Sequence, residues 1–270
     1  MKNKLTENFN NDFSKALKTL KIKNENLYVT SNLIKISNIR IKKEIKLKII
    51  LDEIIKKLGI NYTIFAPGST FNLVNTDIIF DPIKTETYKM GPLSEFIRKK
   101  KSSRSLHPYW SIVGIGKKRK LLDKVSSHSY GYGSPWSKML DNDFTQLNIG
   151  MHPSKAVTLI HHIETIMGVP YRFSKEFTHS VRLNNKIIRK NFHMSVFYKS
   201  TPIQKKIKLN EHFFLQLKKK GELNYAKTSS GLEMWSFKMK DFFNTATKIL
   251  SQDIYSYLEQ KPNLKKVHKN

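Results

Sequence analysis

The chain has 270 residues, with 49 Lys and Arg against 21 Asp and Glu, so its formal net charge is +28. Cysteine is absent, which excludes disulfide scaffolds, cysteine nucleophiles and thiolate metal sites. This length suits one large domain or two closely joined ones, and 16 Phe and 11 Tyr provide ample material for a core.

The first 170 residues show short strands that alternate with helices. Apolar residues spaced three and four apart predict helices, because they fall on one helical face, and short apolar runs bounded by turn formers predict strands. The helices are predicted at 1–24, 42–58, 92–101 and 155–167, and the strands at 26–33, 62–65, 111–116 and 146–150. This alternation predicts an α/β fold, a layered α/β/α sandwich around a mixed sheet.

The last hundred residues mix element types. Apolar runs lie at 192–198 and 234–237, and a closing helix is predicted over 241–258. We expect an α/β core in residues 1–181. Residues 182–270 would be the rest of that domain or a smaller C-terminal cap on the substrate side.

The excess of positive charge bears on the choice of partner. A field this positive attracts nucleic acids, anionic membrane surfaces and phosphate-bearing small molecules. RNA-binding aromatic motifs, zinc fingers and basic zippers are absent, so nucleic acid is not the favoured partner. No apolar stretch approaches 18 residues and the N-terminus lacks an apolar signal, so we expect a cytoplasmic protein without a membrane span. The oligomeric state stays open.

Three stretches place turn-forming residues beside backbone or side-chain groups that could bind a ligand. Within residues 104–111, Pro108 holds His107 in extended geometry at the entrance to a strand. Residues 131–136 form a glycine-containing loop that allows close approach of another molecule. Residues 29–33 end a strand, and their backbone amides could hold a phosphate or an amide-bearing chain. Each feature alone is equally compatible with an ordinary surface turn.

The helix over 155–167 carries the fourth stretch. His161 and Glu164 lie three residues apart and share a helical face with Thr158. A histidine oriented by a carboxylate can remove a proton from an amine or hydroxyl group near neutral pH. A surface ion pair is the alternative interpretation. We predict no metal site, because His-x-x-x-His spacing is absent and no second ligand cluster is evident.

Seven short motifs, taken in order over residues 26–172, resemble the aminoglycoside 3-N-acetyltransferase family, also called the antibiotic N-acetyltransferases. They lie at 29–33, 66–71, 80–82, 90–98, 104–111, 131–140 and 158–164, the last followed by Pro-Tyr-Arg at 170–172. Each motif is short, but seven in the same order make coincidence improbable.

The resemblance implies transfer of an acetyl group from acetyl-coenzyme A to the amine of a small-molecule acceptor, in a ternary complex and without a covalent intermediate. His161 would be the general base, oriented by a carboxylate. Backbone amides or the hydroxyl group at the Ser31 turn would hold the thioester oxygen. By the same analogy the coenzyme groove would be lined by Ser31, Arg104, Ser105, His107 and Ser111.

One departure from the family pattern concerns the partner of the base. An acidic segment follows Pro-Tyr-Arg in the family, whereas residues 186–193 here read Lys-Ile-Ile-Arg-Lys-Asn-Phe-His. The carboxylate partner of His161 therefore stays open among Glu164, Glu176 and Glu211, with Glu164 favoured by its helical spacing.

The net charge is the second departure, and it concerns the acceptor. Aminoglycosides are polycations, which a protein of charge +28 repels at long range. We therefore expect an amino sugar carried by an anionic molecule, such as a nucleotide-linked sugar or a polysaccharide precursor. The alternatives are an aminoglycoside acceptor, giving antibiotic resistance, and a non-catalytic member that binds coenzyme A or a polyanion. A nucleic-acid-binding protein is the remaining option.

Overall fold

The computed structural model describes residues 2–23, 25–199 and 206–263. The helices are α1 (Lys2–Thr19), α2 (Lys43–Leu58), α3 (Pro92–Arg98), α4 (Pro135–Asp141), α5 (Leu159–Ile166), α6 (Lys206–Lys219) and α7 (Met239–Gln252). The strands are β1 (Asn26–Ser31), β2 (Thr63–Pro67), β3 (Ser103–Arg104), β4 (Ile112–Gly116), β5 (Thr145–Ile149), β6 (Arg172–Leu183), β7 (Lys186–Phe197), β8 (Asn224–Lys227) and β9 (Glu233–Lys238).

Seven of these strands form one mixed sheet, in the order β3-β4-β2-β1-β5-β9-β8. In its centre β1 pairs in parallel with β2 and β5, and the outer strands pair antiparallel. Strands β1 and β5 are buried along their whole length, as expected for central parallel strands that are covered by helices on both faces.

Helices cover both faces of this sheet and enclose two hydrophobic cores. On one face α1, α2 and α3 pack over the strands, with Phe13, Ile50 and Ile97 among the buried residues. On the other face α4, α5, α6 and α7 contribute residues such as Trp136 and Phe242. The expected α/β/α sandwich around a mixed sheet is therefore confirmed.

A separate two-stranded sheet consists of β6 and β7. Asn184 and Asn185 connect the two strands with φ angles of 48° and 63°, as a two-residue hairpin turn requires. The hairpin packs on the segment after β2, where Phe80, Val181 and Phe192 share a small core.

The elements predicted for the first 170 residues are present, with shifted ends. The helix predicted from Lys155 begins at Leu159, and it is preceded by a short 3₁₀ turn at Pro153–Lys155. The sequence patterns did not predict α4, α6 or the β6–β7 hairpin. Strands β9 and β8, which follow residue 181, extend the main sheet from β5. None of the described helices is both long and apolar enough to cross a membrane.

The order of the parallel strands predicts where a ligand binds. The connection from β1 to β2 runs through α2 on one face of the sheet, and the segment that leads into β5 runs through α4 on the other face. The carboxyl end of β1, which lies between β2 and β5, is therefore a topological switch point. In open α/β sheets, ligands bind in the crevice at this end.

Candidate active site

A cavity of about 850 Å³ opens at this switch point. Residues that follow β1, β2 and β5 line it, including Ser31, Ser69 and Met151. Aromatic side chains form much of its apolar wall, which includes Tyr28, Phe71, Trp110 and Trp136. A largely apolar cleft with a few polar groups is typical of a small-molecule site.

The charged residues that line the cavity are lysines. Lys43, Lys89 and Lys155 are exposed, whereas Lys46 is only 7% exposed. The Lys46 ammonium donates to the carbonyl oxygens of Ile36, at 2.7 Å, and of two neighbouring residues, and burial lowers its pKa. Among the described residues, no Asp or Glu lines this cavity. Its electrostatic character therefore suits an anionic ligand.

A buried network of polar side chains supports the cavity floor. Asn148 donates to the hydroxyl group of Thr30 at 2.7 Å. Gln146 donates at 3.1 Å both to Asn148 and to the carbonyl oxygen of Ala156. Because Thr30 and Ala156 line the cavity, this network fixes the end of β1 relative to the segment that leads into α5.

Ser31 contributes an available hydroxyl group to the cavity wall. Its Oγ is buried and has no hydrogen-bond partner within the described part of the chain. Gly91 packs against it, since a Cβ atom on Gly91 would lie 3.2 Å from the Ser31 carbonyl oxygen. Gly91 also has a φ of +87°, so a side chain there would be strained as well as crowded. A buried polar group without a partner is available to hydrogen-bond a ligand.

His161 and Glu164 are in direct contact on α5. The Nδ1 atom of His161 lies 2.9 Å from Oε2 of Glu164, and the side chains are 14% and 0% exposed. Spacing of three residues on one helix brings them together, as the sequence indicates. Of the other two carboxylates considered from the sequence, Glu176 lies 3.7 Å from His193, and Glu211 lies near His152.

Two residues that follow α5 complete the surroundings of Glu164. The Tyr171 hydroxyl group donates to Oε1 at 3.0 Å. The Nε atom of Arg172 lies 2.8 Å from Oε2, and its Nη2 atom lies 2.8 Å from Nδ1 of His161. The carboxylate, the guanidinium group and the imidazole ring thus form one closed cluster.

This cluster lies beside the cavity and not on its wall. Thr158 lines the cavity, and His161 follows it by one helical turn on the same face of α5. The ring of Tyr130 packs 5.7 Å from that of His161 and 5.6 Å from that of Trp110, measured between centroids. The Tyr257 ring covers His161 from another side, at 5.9 Å.

Three residues expected to line the coenzyme groove lie behind the wall of this cavity. Arg104, Ser105 and Ser111 are at most 7% exposed and do not line the cavity. Arg104 and Ser111 both donate to the carbonyl oxygen of Gly68, and the Ser105 hydroxyl group accepts from the amide of Ile112. Their side chains therefore hold the turn after β2 in place, and of the five predicted groove residues only Ser31 is on the cavity wall.

His107, the remaining member, is also interior, at 2% exposure. Its Nδ1 atom accepts the backbone N–H of Trp110 at 3.2 Å, and Nε2 lies 3.2 Å from the carbonyl oxygen of His193. Burial lowers the pKa of His107 to about 4, so the ring is neutral at pH 7. His107 therefore supports Trp110, which lines the cavity, from behind.

The sequence patterns did not predict that Lys43, Lys89 and Lys155 line one cavity, or that Arg172 contacts Glu164. Arg172 belongs to the Pro-Tyr-Arg motif, and this could have indicated that it lies at the site. Lys43, Lys89 and Lys155 are three of 49 basic residues and lie far apart in the sequence. They meet at one cavity only because of the order of the strands in the sheet. Within the described residues, no group of three or more His, Asp or Glu side chains is arranged to hold a metal ion.

Comparisons with known proteins agree on one family and one fold. Residues 67–251 match the family described as aminoglycoside 3-N-acetyltransferase. No curated protein matches the chain.

The similar solved structures share the fold at low sequence identity. AAC-VIa bound to sisomicin has a TM-score of 0.76 at 16% identity, over 90% of this chain and 97% of its own. AAC-IIIb in a binary complex with CoASH has a TM-score of 0.75 at 17% identity, over 94% and 98%. YokD from Bacillus subtilis has a TM-score of 0.74 at 17% identity, over 91% and 94%.

Proposed function

Because the chain belongs to the aminoglycoside 3-N-acetyltransferase family, we propose that it transfers the acetyl group of acetyl-coenzyme A to an amine of an amino sugar. The observation that carries this proposal is the cationic cavity at the switch point, with the His161–Glu164 pair one helical turn from its wall.

The cavity suits the chemistry of coenzyme A. The pantetheine arm would lie against the aromatic wall, and the phosphate groups would lie near Lys43, Lys89 and Lys155. Lys43 begins α2, whose N-cap residue, Lys42, makes no side-chain capping bond. The N-terminus of this helix therefore offers backbone N–H groups that favour a phosphate.

The reaction needs a base and a donor to the developing oxyanion. The acceptor nitrogen attacks the thioester carbon, and His161 takes the proton that this nitrogen loses. The Ser31 hydroxyl group would donate to the oxyanion, because it is buried and without a partner. The carbon–sulfur bond then breaks, and the thiolate receives a proton to give free coenzyme A. Glu164 would keep the His161 ring oriented throughout.

The exposed lysines provide a test of where the coenzyme lies. We expect Lys43→Gln together with Lys89→Gln to raise the KM for acetyl-coenzyme A by about tenfold, because charged contacts to phosphate are lost. The KM for acetyl-pantetheine, which has no phosphate groups, should stay the same. Steady-state release of free thiol measures both values.

Lys99→Gln is the matched control. Lys99 is also exposed, but it contacts Glu95 on α3 and does not line the cavity. It should leave both KM values unchanged. An equal rise in KM for both acetyl donors in the double variant would show that these lysines do not contact the phosphates.

The acceptor class that the comparisons support is an aminoglycoside. The family carries that name, and AAC-VIa was solved with sisomicin. Acetylation of such a compound would confer antibiotic resistance.

A second candidate acceptor is an amino sugar on an anionic carrier. It is favoured by the charge of +28 and by the absence of Asp and Glu among the described cavity residues. Polycations need carboxylates to hold several ammonium groups, and this cavity offers lysines instead.

A panel of acceptors separates the two candidates. We would measure thiol release with sisomicin, with a neutral amino sugar and with a nucleotide-linked amino sugar, at low and at moderate salt. A higher kcat/KM with sisomicin would support the aminoglycoside. A preference for the nucleotide-linked sugar that weakens with salt would support the anionic carrier. No thiol release with any amine would contradict the acetyltransferase proposal.

A further inference from the structure

Glu164 is a fully buried carboxylate, and the arrangement around it determines how His161 can work. An ionised carboxylate inside a protein is stable only when it is paired and hydrogen-bonded. Here Oε1 accepts from Tyr171, while Oε2 faces both His161 and Arg172. The carboxylate is thus shared between an imidazole ring and a permanent cation.

Arg172 is held rigidly in this position. Its side chain is 6% exposed, and its guanidinium carbon lies 3.6 Å from the centre of the Phe197 ring. Its Nη1 atom donates to the carbonyl oxygen of Ser195 at 3.2 Å. Both contacts are on β7, so the hairpin fixes the guanidinium group against Glu164 and His161.

Two opposite charges face the Nδ1 atom of His161. Glu164 alone, 2.9 Å from Nδ1, would favour the protonated imidazolium form. Arg172, 2.8 Å from the same atom, disfavours it. Among the described residues, the phenols of Tyr130 and Tyr257 also pack against the ring, and Tyr171 faces Glu164. Burial raises the pKa of Tyr130 and of Tyr171 well above its ordinary value, so both phenols stay neutral.

We propose that Arg172 is a positioning residue for the reaction: its guanidinium group balances the charge of Glu164 and so keeps His161 in the neutral form that can accept a proton. A base that is already protonated cannot take the proton of the acceptor amine. Without Arg172, the buried carboxylate would hold a proton on His161 at neutral pH. This inference rests on the proposed role of His161 as the base.

The test combines a pH–rate profile with a direct titration of the imidazole ring. Arg172→Met keeps the length of the side chain and its packing on Phe197 but removes the charge. We expect the acid limb of its kcat/KM profile to move to higher pH by about one unit or more. At a pH below the limb, this shift lowers kcat/KM by about tenfold. Well above the limb, activity should return to within about threefold of the wild type.

NMR titration measures the protonation of the His161 ring directly, without any substrate. The chain has nine histidines, and loss of one signal in His161→Gln assigns the ring. The titration midpoint of His161 should rise in Arg172→Met and stay within about half a unit in Arg172→Lys, which keeps the charge.

Glu164→Gln and the double variant Arg172→Met/Glu164→Gln complete a double-mutant cycle. If Arg172→Met does not fold, Glu164→Gln still tests the inference. In Glu164→Gln the guanidinium charge is unopposed, so the midpoint should fall by about one unit or more. In Arg172→Met/Glu164→Gln both charges are gone, and the midpoint should return close to that of the wild type.

Two results would overturn the inference. The first is a uniform loss of activity at every pH in Arg172→Met, with an unchanged midpoint. The second is an unchanged midpoint in Glu164→Gln. Normal turnover in His161→Ala would instead contradict the proposed function while leaving the titration result intact, so the two failures can be told apart.

Discussion

Replacement of His161 by Ala should lower kcat by about 10²- to 10⁴-fold, the usual contribution of a general base. The acceptor amine would have to lose its proton to water, because the remaining cluster residues, Glu164 and Arg172, face the ring from the side of Nδ1. The deficit should shrink as pH rises, since more of the acceptor is then already deprotonated. Thiol release between pH 6 and 9 measures this.

His179→Gln is the matched control for this substitution. His179 is a buried histidine on β6 whose contacts are the Tyr109 ring and the carbonyl oxygen of Ile78, which glutamine can also reach. Its turnover should be close to that of the wild type. A His161→Ala protein that folds normally and turns over at the wild-type rate would remove His161 from the mechanism.

Gly150→Ala should cause the largest loss of stability among simple substitutions near the cavity. Gly150 follows β5 with a φ of +74°, and a Cβ atom there would lie 1.9 Å from the carbonyl oxygen of Asn32. The left-handed backbone and the steric overlap together cost about 3 kcal/mol or more in free energy of unfolding. Because Asn32 lines the cavity, the KM for acetyl-coenzyme A should rise as well.

Gly168→Ala separates the two contributions. Gly168 has a similar φ of +61°, but nothing lies within 4 Å of the position that a Cβ atom would occupy there. Only the backbone strain remains, so the loss should be about 1 kcal/mol. Urea denaturation of both variants gives the comparison. Equal losses would mean that the turn after β5 shifts to accommodate a side chain, and that the close approach to Asn32 is not needed.

The sequence predicted the elements that carry periodic apolar residues. Helix α2 shows this well, since its buried residues repeat at helical spacing and Gly59 ends it with a φ of +80°. The β6–β7 hairpin was not predicted because its strands are largely polar and exposed. The Asn184-Asn185 pair was a local signal for its turn. Helix α5 begins late because a 3₁₀ turn ends at Lys155 and the backbone of Ala156, with a φ of −143°, is not helical.

The site was predictable where its geometry is local. His161 and Glu164 meet through helical spacing alone, so their contact followed from the sequence. Arg104 and His107 were expected at the groove, but they turn inward to bond the backbone of distant segments at Gly68 and His193. Such pairings depend on the strand order of the whole sheet, which a short motif does not specify.

The position of β5 has a consequence for how the protein is made. β5 (Thr145–Ile149) lies in the interior of the sheet, yet its second neighbour, β9 (Glu233–Lys238), is synthesised nearly ninety residues later. At ordinary rates of translation this delay lasts about 5–20 s. During that time the nascent chain presents an unpaired edge of a strand that is buried in the folded protein, which favours aggregation. Ribosome-associated chaperones that cover this edge should therefore increase the yield of folded protein.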